Sequence, residues 1–430
     1  MAVSLLACQQ HDEEAVLGKP EVRMDQMVKD YQQKLVSAAN GWKGYVFPGQ
    51  GGGYGFWFEF SSEGRVVMMA DINNDCATEA YESSFRLEAV QRPSLFFDTY
   101  SYLHILSDPD PSVSGGVIGE GLQSDFEFAF EKVSDNGDTI RLKGNQNATP
   151  LVLIKATGDE ARAFHNGDVS TVMGGAHAYA KAHQFVYIQS PDGKRVNTSI
   201  NLDERLFALS LKQGDTLNIQ STPFAFTPYG LHLQKPVSYR TIAFQEVLFD
   251  TAEGRYCVIV NGSRINLLDS GEPVLPLHLL LGVDFSALSV PPGGVEGSSA
   301  IFNSIVASIA GNLDGAALIL TYIDLEFNTE NRTMNLNVFF KPYGDDFVYV
   351  AQYPYAYEKS PDGMFKFQAY DEPNGNGEYL AQVVAPLLYY FDSFRFRMEY
   401  YKTESGYLSQ MKCVESSQFY FAANFGLPVF

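Results

Sequence analysis

The sequence predicts a mainly β protein, built of antiparallel sheets with a few short helices and divided into at least two domains. Three observations lead there. The chain carries 32 Phe and 25 Tyr beside only two Trp, with 37 Gly and 20 Pro; aromatic side chains suit a pleated, half-buried surface, and Gly and Pro close the turns between strands. Several short stretches alternate apolar and polar residues at period two, which places every second side chain on one face. At roughly 100–200 residues per domain, 430 residues exceed what one core usually holds.

The elements follow in order. Lys19–Asn40 spaces Met24, Met27, Val28, Tyr31 and Leu35 as a helix, and Asn40-Gly41 supplies its stop. The glycines of 49–55 lead into Phe56–Phe60, and Ser61-Ser62-Glu63-Gly64 turns the chain into Val66–Ala70, a β-hairpin with Tyr54, Phe56, Phe58 and Phe60 on one face. Strands continue at Tyr81–Ala89 and Ser94–Phe97, with a short helix at Tyr100–Leu106. In Asp125–Glu131, Phe126, Phe128 and Phe130 point inward and Glu127 and Glu131 outward, a half-buried antiparallel strand. Thr139–Lys143 and Leu151–Ile154 complete the run. Residues 158–182 read as partly helical, interrupted by Gly167, Gly174 and Gly175. From Gln184 to Leu268 short strands return between turns such as Asp192-Gly193, Gln213-Gly214, Glu253-Gly254 and Asn261-Gly262.

Val290–Ser299 reads as a linker, because nothing in it can pack. Beyond it come a helix at Ile301–Ala310, strands at Ala317–Phe327, Thr333–Phe340, Phe347–Tyr353 and Met364–Ala369, and a helix at Glu378–Tyr390. A strand with Phe394, Phe396, Met398 and Tyr400 inward follows, then two more at Leu408–Cys413 and Gln418–Ala422. The order strand, apolar helix, alternating Phe strand, two strands repeats that of Ser94–Ile154, and Ser124–Glu131 matches Asp392–Glu399 most closely. A diverged duplication and generic meander patterning both account for it.

Charge narrows the partners. Thirty Lys and Arg against 51 Asp and Glu leave a net charge of −21, which argues against a nucleic-acid partner because phosphate backbones need a basic face. Apolar residues at 45% and charged ones at 19% belong to a folding chain, not to a disordered acidic tail. No stretch approaches the roughly 18 apolar residues of a spanning helix.

The N-terminus places an apolar run ending in a small residue directly before cysteine, Leu5-Leu6-Ala7-Cys8. This is similar to the end of a bacterial lipoprotein signal, where Cys8 would be lipidated, although the positive n-region and full apolar h-region are missing, so the start reads as truncated. Gln9–Glu14 forms a short acidic tether. Cys76, Cys257 and Cys413 then remain, an odd number without C-x-x-C spacing, so free thiols packed as small apolar groups are expected.

Pro93–Pro109, Ser124-Asp-Phe-Glu-Phe128, Ile140–Gly144 and Thr227–Pro236 resemble a family of Bacteroidetes lipoproteins, the domain of unknown function numbered 4302, over most of the chain after Lys19. Acidic residues just after a lipidated Cys resemble a signal by which lipoproteins of the Bacteroidetes are transferred to the outside of the outer membrane. The resemblance implies a lipid-anchored, surface-exposed protein beside an import receptor and its substrate-binding lipoprotein, with an accessory binding role. It implies no catalytic residues.

The chemistry-bearing patterns are few. Asp71, Asn73, Asp75, Glu79 and Glu82 fall at positions 1, 3, 5, 9 and 12 of a calcium loop, but Cys76 stands where that loop needs Gly, and strands flank it in place of helices. Calcium is the only cofactor these residues suggest, and a polar hairpin connection is the alternative. The glycines of 49–55 lack the Lys-Ser or Lys-Thr of a phosphate loop. Asp371–Glu378 is oxygen-rich but reads as turn and cap residues. His165, His177 and His183 lack metal-ligand spacing, and no nucleophile elbow is present. Tyr349, Tyr353, Tyr355 and Tyr357, with Pro354 breaking the strand, form a candidate ligand platform, a Tyr-rich edge strand being the alternative.

The expected architecture is therefore mainly β, with antiparallel sheets as lipocalin-like barrels or sandwiches. Residues 1–17 form signal and tether, 18–275 an N-terminal β-rich domain with a leading helix, and 276–430 a C-terminal β-rich domain with two helices. The expected function is non-enzymatic binding of glycan or peptide for uptake at the outer membrane; a glycan hydrolase with hidden carboxylates, or a structural subunit of an outer-membrane assembly, are the rivals.

Overall fold

A computed structural model describes residues 20–89, 92–116, 119–213, 216–345 and 347–426. Its first sheet is a closed antiparallel barrel of β1 (Trp42–Val46), β2 (Tyr54–Phe60), β3 (Arg65–Ala70), β4 (Tyr81–Ala89), β5 (Pro93–Phe97), β6 (Glu127–Val133), β7 (Thr139–Gly144) and β8 (Pro150–Lys155), each strand pairing with the next and β8 with β1. Eight strands leave an interior that side chains alone can fill. Phe56, Phe58 and Phe128 are fully buried there with Trp42, Leu95, Ile140 and Leu153. Gly44 is required by this packing, since a Cβ would lie 2.4 Å from the Phe58 ring. The leading helix α1 (Pro20–Val36) packs on the same core: Tyr31 stacks on Phe130 with ring centroids 4.0 Å apart, and the Trp42 indole N–H donates to the Leu35 carbonyl. Short helices α2 (Asn74–Thr78), α3 (Tyr102–Ile105) and α4 (Pro111–Ser114) lie in its connections.

Helices α5 (Gly158–His165) and α6 (Asp168–Ala182) follow, the first opened by a capping box between Thr157 and Glu160. Gly175 belongs inside α6 because the Phe249 ring would lie 2.3 Å from any Cβ at that position. The middle sheet has nine strands: β9 (Val186–Gln189), β10 (Arg195–Asn201), β11 (Leu206–Gln213), β12 (Thr216–Thr227), β13 (Gly230–Tyr239), β14 (Ile242–Asp250), β15 (Arg255–Val260), β16 (Ser263–Asn266) and β17 (Leu268–Asp269). They are ordered β16-β15-β14-β13-β12-β11-β10-β9-β17.

After the short helix α7 (Leu277–Leu280), the third sheet is again a closed eight-stranded barrel: β18 (Ala287–Val290), β19 (Leu318–Asn328), β20 (Thr333–Pro342), β21 (Tyr349–Lys359), β22 (Met364–Ala369), β23 (Arg395–Thr403), β24 (Gly406–Cys413) and β25 (Tyr420–Phe425). Two longer helices share its core. α8 (Ala300–Gly315) buries Phe302, Val306, Ile309 and Leu313, and α9 (Gly375–Ser393) buries Leu380, Val384, Leu387 and Phe391, the same 0, 4, 7, 11 stripe in both. Ser299 and Asn374 cap them by accepting from the N–H groups of Phe302 and Gly377.

By contacts the chain divides into two compact units, one of residues up to 178 with 223–236 and 245–258, the other of 179–222, 237–244 and 259 onward. The expected boundary at 275/276 falls just before α7. The mainly β class, the antiparallel sheets and the barrels are as the sequence predicts. The repeated order is present but for one added helix: β5, α3, α4, β6, β7, β8 against β22, α9, β23, β24, β25, with β6 and β23 the sixth strand of each barrel.

Three local expectations are corrected. Phe126 does not point into the first barrel; it precedes β6, is 37% exposed and stacks on His104, while Phe128 and Phe130 fill the core. Residues 291–299 do not link larger units; they join β18 to α8 within the second barrel, and Ser299 caps that helix. Pro354 does not break its strand. It sits within β21, opposite Asn335, and the ladder continues on both sides.

Candidate functional site

The described surface holds a hollow of about 530 Å³ on the middle sheet, lined by Lys194, Leu211, Lys212, Asn218, Gln220, Ser238, Tyr239 and Arg240. Its size falls in the range of small-molecule sites. Each lining residue is set by local backbone chemistry. Lys194 ends the turn between β9 and β10, where Gly193 takes φ +80° and its N–H donates to the Ser190 carbonyl. Leu211 and Lys212 lie near the end of β11, and Asn218 and Gln220 near the start of β12. Ser238 and Tyr239 end β13, and Arg240 occupies the turn into β14 at φ +54°, a left-handed position uncommon outside Gly and Asn.

The polar contacts order one side of the hollow. The Asp192 carboxylate accepts from the Arg240 guanidinium at 2.9 Å and from the Tyr239 hydroxyl at 3.2 Å, so two lining residues are held by one acid. The Gln220 Oε1 accepts the Ser238 N–H at 2.9 Å. Leu211 is buried, Tyr239 half-buried and the other six exposed. Among the described residues three cations and no carboxylate line this hollow, in a chain with 21 more acids than bases. Chemically it can neutralise an anion and exchange hydrogen bonds with hydroxyl groups. Nothing in it resembles a nucleophile with an adjacent base.

The residues expected to hold calcium are set to other tasks. Asp71 is fully buried and its Oδ2 accepts the Phe226 N–H at 2.6 Å. Asn73 caps α2 by accepting from the Cys76 N–H, Asp75 lies in the first turn of that helix, and Glu79 is its C-cap. Glu82 is on β4 in an exposed pair with Arg65 at 2.8 Å. Cys76, at the position calcium loops give to Gly, is the third residue of α2 and donates its N–H to the Asn73 cap. Among the described residues no group of three or more His, Cys, Asp or Glu side chains is placed to hold a metal.

The tyrosine platform is likewise taken apart by strand geometry. Tyr353, Tyr355 and Tyr357 occupy the inward phase of β21 and are buried in the second barrel, while Val350, Gln352, Pro354 and Ala356 take the outward phase. The Tyr353 hydroxyl donates to the Gly377 carbonyl at 3.0 Å and the Tyr355 hydroxyl to the Asp392 carboxylate at 3.0 Å, so both polar tips are satisfied within α9. Burial pushes the Tyr353 hydroxyl up to about 12. Only Tyr349 is exposed, beside Phe347.

The other stretches also resolve locally. Asn374 of the 371–378 loop caps α9. His165 packs edge-on against Trp57, His183 pairs with Asp269 at 2.9 Å, and His177 is exposed, so the three do not meet. Cys76, Cys257 and Cys413 are buried and form no disulfide among the described residues, and burial raises the Cys76 thiol to about 11. Cys8 lies outside the described residues.

Sequence reasoning missed the hollow because its three cations come from stretches 18 and 28 positions apart, each ordinary in isolation. The turn at Asp192-Gly193 was readable; its neighbourhood to Arg240 follows only from strand pairing. It also missed a row of polar groups across the outer wall of the second barrel, where Ser289, Asp324, Asn337 and Gln352 stand in register on β18 to β21. Asp324 is 1% exposed and neither carboxylate oxygen has a hydrogen-bond partner among the described residues. Burial drives its carboxyl up to about 7, and the neighbouring Glu326 charge adds to the rise. Asp284, which accepts from the Ser199 hydroxyl, is raised to about 6 for the same first reason.

A family model, the domain of unknown function DUF4302, matches residues 12–251, more than half of the chain, and the protein belongs to that family. The match spans the first barrel and every residue lining the hollow. No curated protein matches the chain.

Proposed function

We propose that this DUF4302 member is a binding protein of the outer-membrane surface, lipid-anchored through Cys8, which captures glycan or peptide for uptake beside an import receptor and its substrate-binding lipoprotein. The observation that carries the binding role is the hollow: a concave site of ligand size with convergent polar groups and no catalytic pair. The Leu5-Leu6-Ala7-Cys8 sequence and the acidic tether support the anchor. Both barrel interiors are packed with aromatic and aliphatic side chains, which favours the wall of the middle sheet over a barrel lumen as the ligand site.

The test compares the native chain with a Lys194→Ala, Lys212→Ala, Arg240→Ala variant on a glycan and peptide array, with mass analysis of the retained ligands. Retention of unchanged ligand, lost in the variant, is expected. Cleaved ligand would replace binding with hydrolysis, and equal retention by the variant would move the site elsewhere. For the anchor, the peptide containing Cys8 from native cells should carry fatty acid; an unmodified thiol would remove that part of the reading.

A further inference from the structure

Resting on the reading of the hollow as the ligand site, we infer that its ligand is an acidic saccharide, a sugar chain bearing carboxylate or sulfate groups. The charge argument comes first. Lys194, Lys212 and Arg240 reach one hollow from a turn, a strand and a second turn. No ion-pair partner for Lys194 or Lys212 is found among the described residues, whereas Arg240 is paired with Asp192. That pairing removes one charge and also fixes the guanidinium, whose other N–H donors remain for two oxygens of a carboxylate or sulfate. The remaining acids of the chain do not cancel this local field, because at physiological salt exposed charges are largely screened beyond about 8 Å.

The rest of the lining argues for a sugar. Asn218, Gln220 and Ser238 supply amide and hydroxyl groups that donate and accept as sugar hydroxyls do, and the Tyr239 hydroxyl, which donates to Asp192, can still accept. Gln220 uses its Oε1 on the Ser238 N–H, so its Nε2 donors are uncommitted among the described residues. Leu211 is the one aliphatic lining residue, too little to seat the side chains of a peptide. Peptides also bind sheets by adding a strand at a free edge. The hollow rests on β11, β12 and β13, which are internal to the sheet order, so no edge is offered there.

The experiment is calorimetric titration of the full chain with four probes: hexagalacturonate, a chondroitin sulfate hexasaccharide, maltohexaose and hexaglutamate, each at low and at threefold higher salt. The two acidic oligosaccharides should bind at least about tenfold more tightly than maltohexaose, and more weakly at high salt. Preference between them tells carboxylate from sulfate. Lys212→Ala and Arg240→Ala should each weaken them about two- to fivefold, the range of single exposed ion pairs, while Lys212→Arg retains binding and both alanine variants keep the native melting temperature. Equal binding of maltohexaose would overturn the acidic preference and leave the binding reading intact. Hexaglutamate binding as tightly as the sugars would show charge attraction alone and overturn the saccharide. Failure of all four would overturn both the inference and the reading beneath it.

Discussion

Each barrel carries a buried aspartate on its wall, and the two aspartates are treated differently. In the first, Asp71 is fully buried just after β3 and receives the Phe226 N–H at 2.6 Å. In the second, Asp324 is as deeply buried on β19, yet neither oxygen has a hydrogen-bond donor among the described residues. A buried carboxylate stays ionised cheaply only when donors meet it; otherwise it takes up a proton. Asp125 in the first barrel is bonded most fully, accepting from the N–H groups of Gln146, Asn147 and Thr149 and from the Thr149 hydroxyl. The difference teaches that equal burial does not mean equal role. Asp71 and Asp125 hold backbone in place, whereas Asp324 makes the second barrel sensitive to pH.

The largest expected effect tests whether the two barrel cores are equivalent. Phe128 on β6 and Phe396 on β23 are both fully buried on the sixth strand of their barrels. Phe128→Ala and Phe396→Ala should each cost about 3–5 kcal/mol in denaturant unfolding. A cost below about 1 kcal/mol at either would show a core that collapses around the loss, and would break the equivalence.

The second prediction separates the two aspartates by pH. Burial raises Asp324 in the folded chain to about 7, well above the ordinary 3.8. Well below pH 3.8 the group is protonated whether folded or not, and no penalty applies. As the pH rises from about 4 to about 7 the unfolded chain loses this proton and the folded one holds it, so stability falls. Asp324→Asn removes the titration and should stabilise the protein at pH 8 by on the order of 3 kcal/mol, with little effect at pH 4. Asp71→Asn should destabilise at pH 8, because the amide can no longer accept with both of its heavy atoms and the bond from the Phe226 N–H is perturbed. Melting temperatures of both variants at the two pH values check the pair, and the same sign for both would contradict the contrast.

A smaller effect distinguishes the tyrosines. Tyr355→Phe should cost about 1–2 kcal/mol through the bond to Asp392, while Tyr349→Phe should stay within about 0.5 kcal/mol because that residue is exposed. Among the losses, the last is Ser299→Ala, which should cost about 1 kcal/mol by leaving the first turn of α8 without its cap.

Those tyrosines also show how far the sequence could be read. Strands such as Tyr54–Phe60 were legible because Phe at period two has one physical interpretation, burial. Helices α8 and α9 were legible for the same reason at helical spacing. Tyr has two interpretations, a buried body with a bonded hydroxyl or an exposed stacking face, and only the partners Gly377 and Asp392 decide between them. Pro354 misled because proline usually ends a strand, yet here it occupies an outward position of β21. The calcium spacing misled because Asn73 and Asp75 serve a helix start as readily as a cation. The hollow was not legible at all: Lys194, Lys212 and Arg240 become neighbours through the pairing of strands, and no local pattern carries that information.

The central claim is that this hollow is where the ligand binds, and hydrogen exchange measured with and without hexagalacturonate tests it most directly. Slower exchange confined to residues 190–195, 211–213, 216–220 and 238–242 is the predicted result. Unchanged exchange in those segments, with protection appearing on either barrel instead, would contradict it.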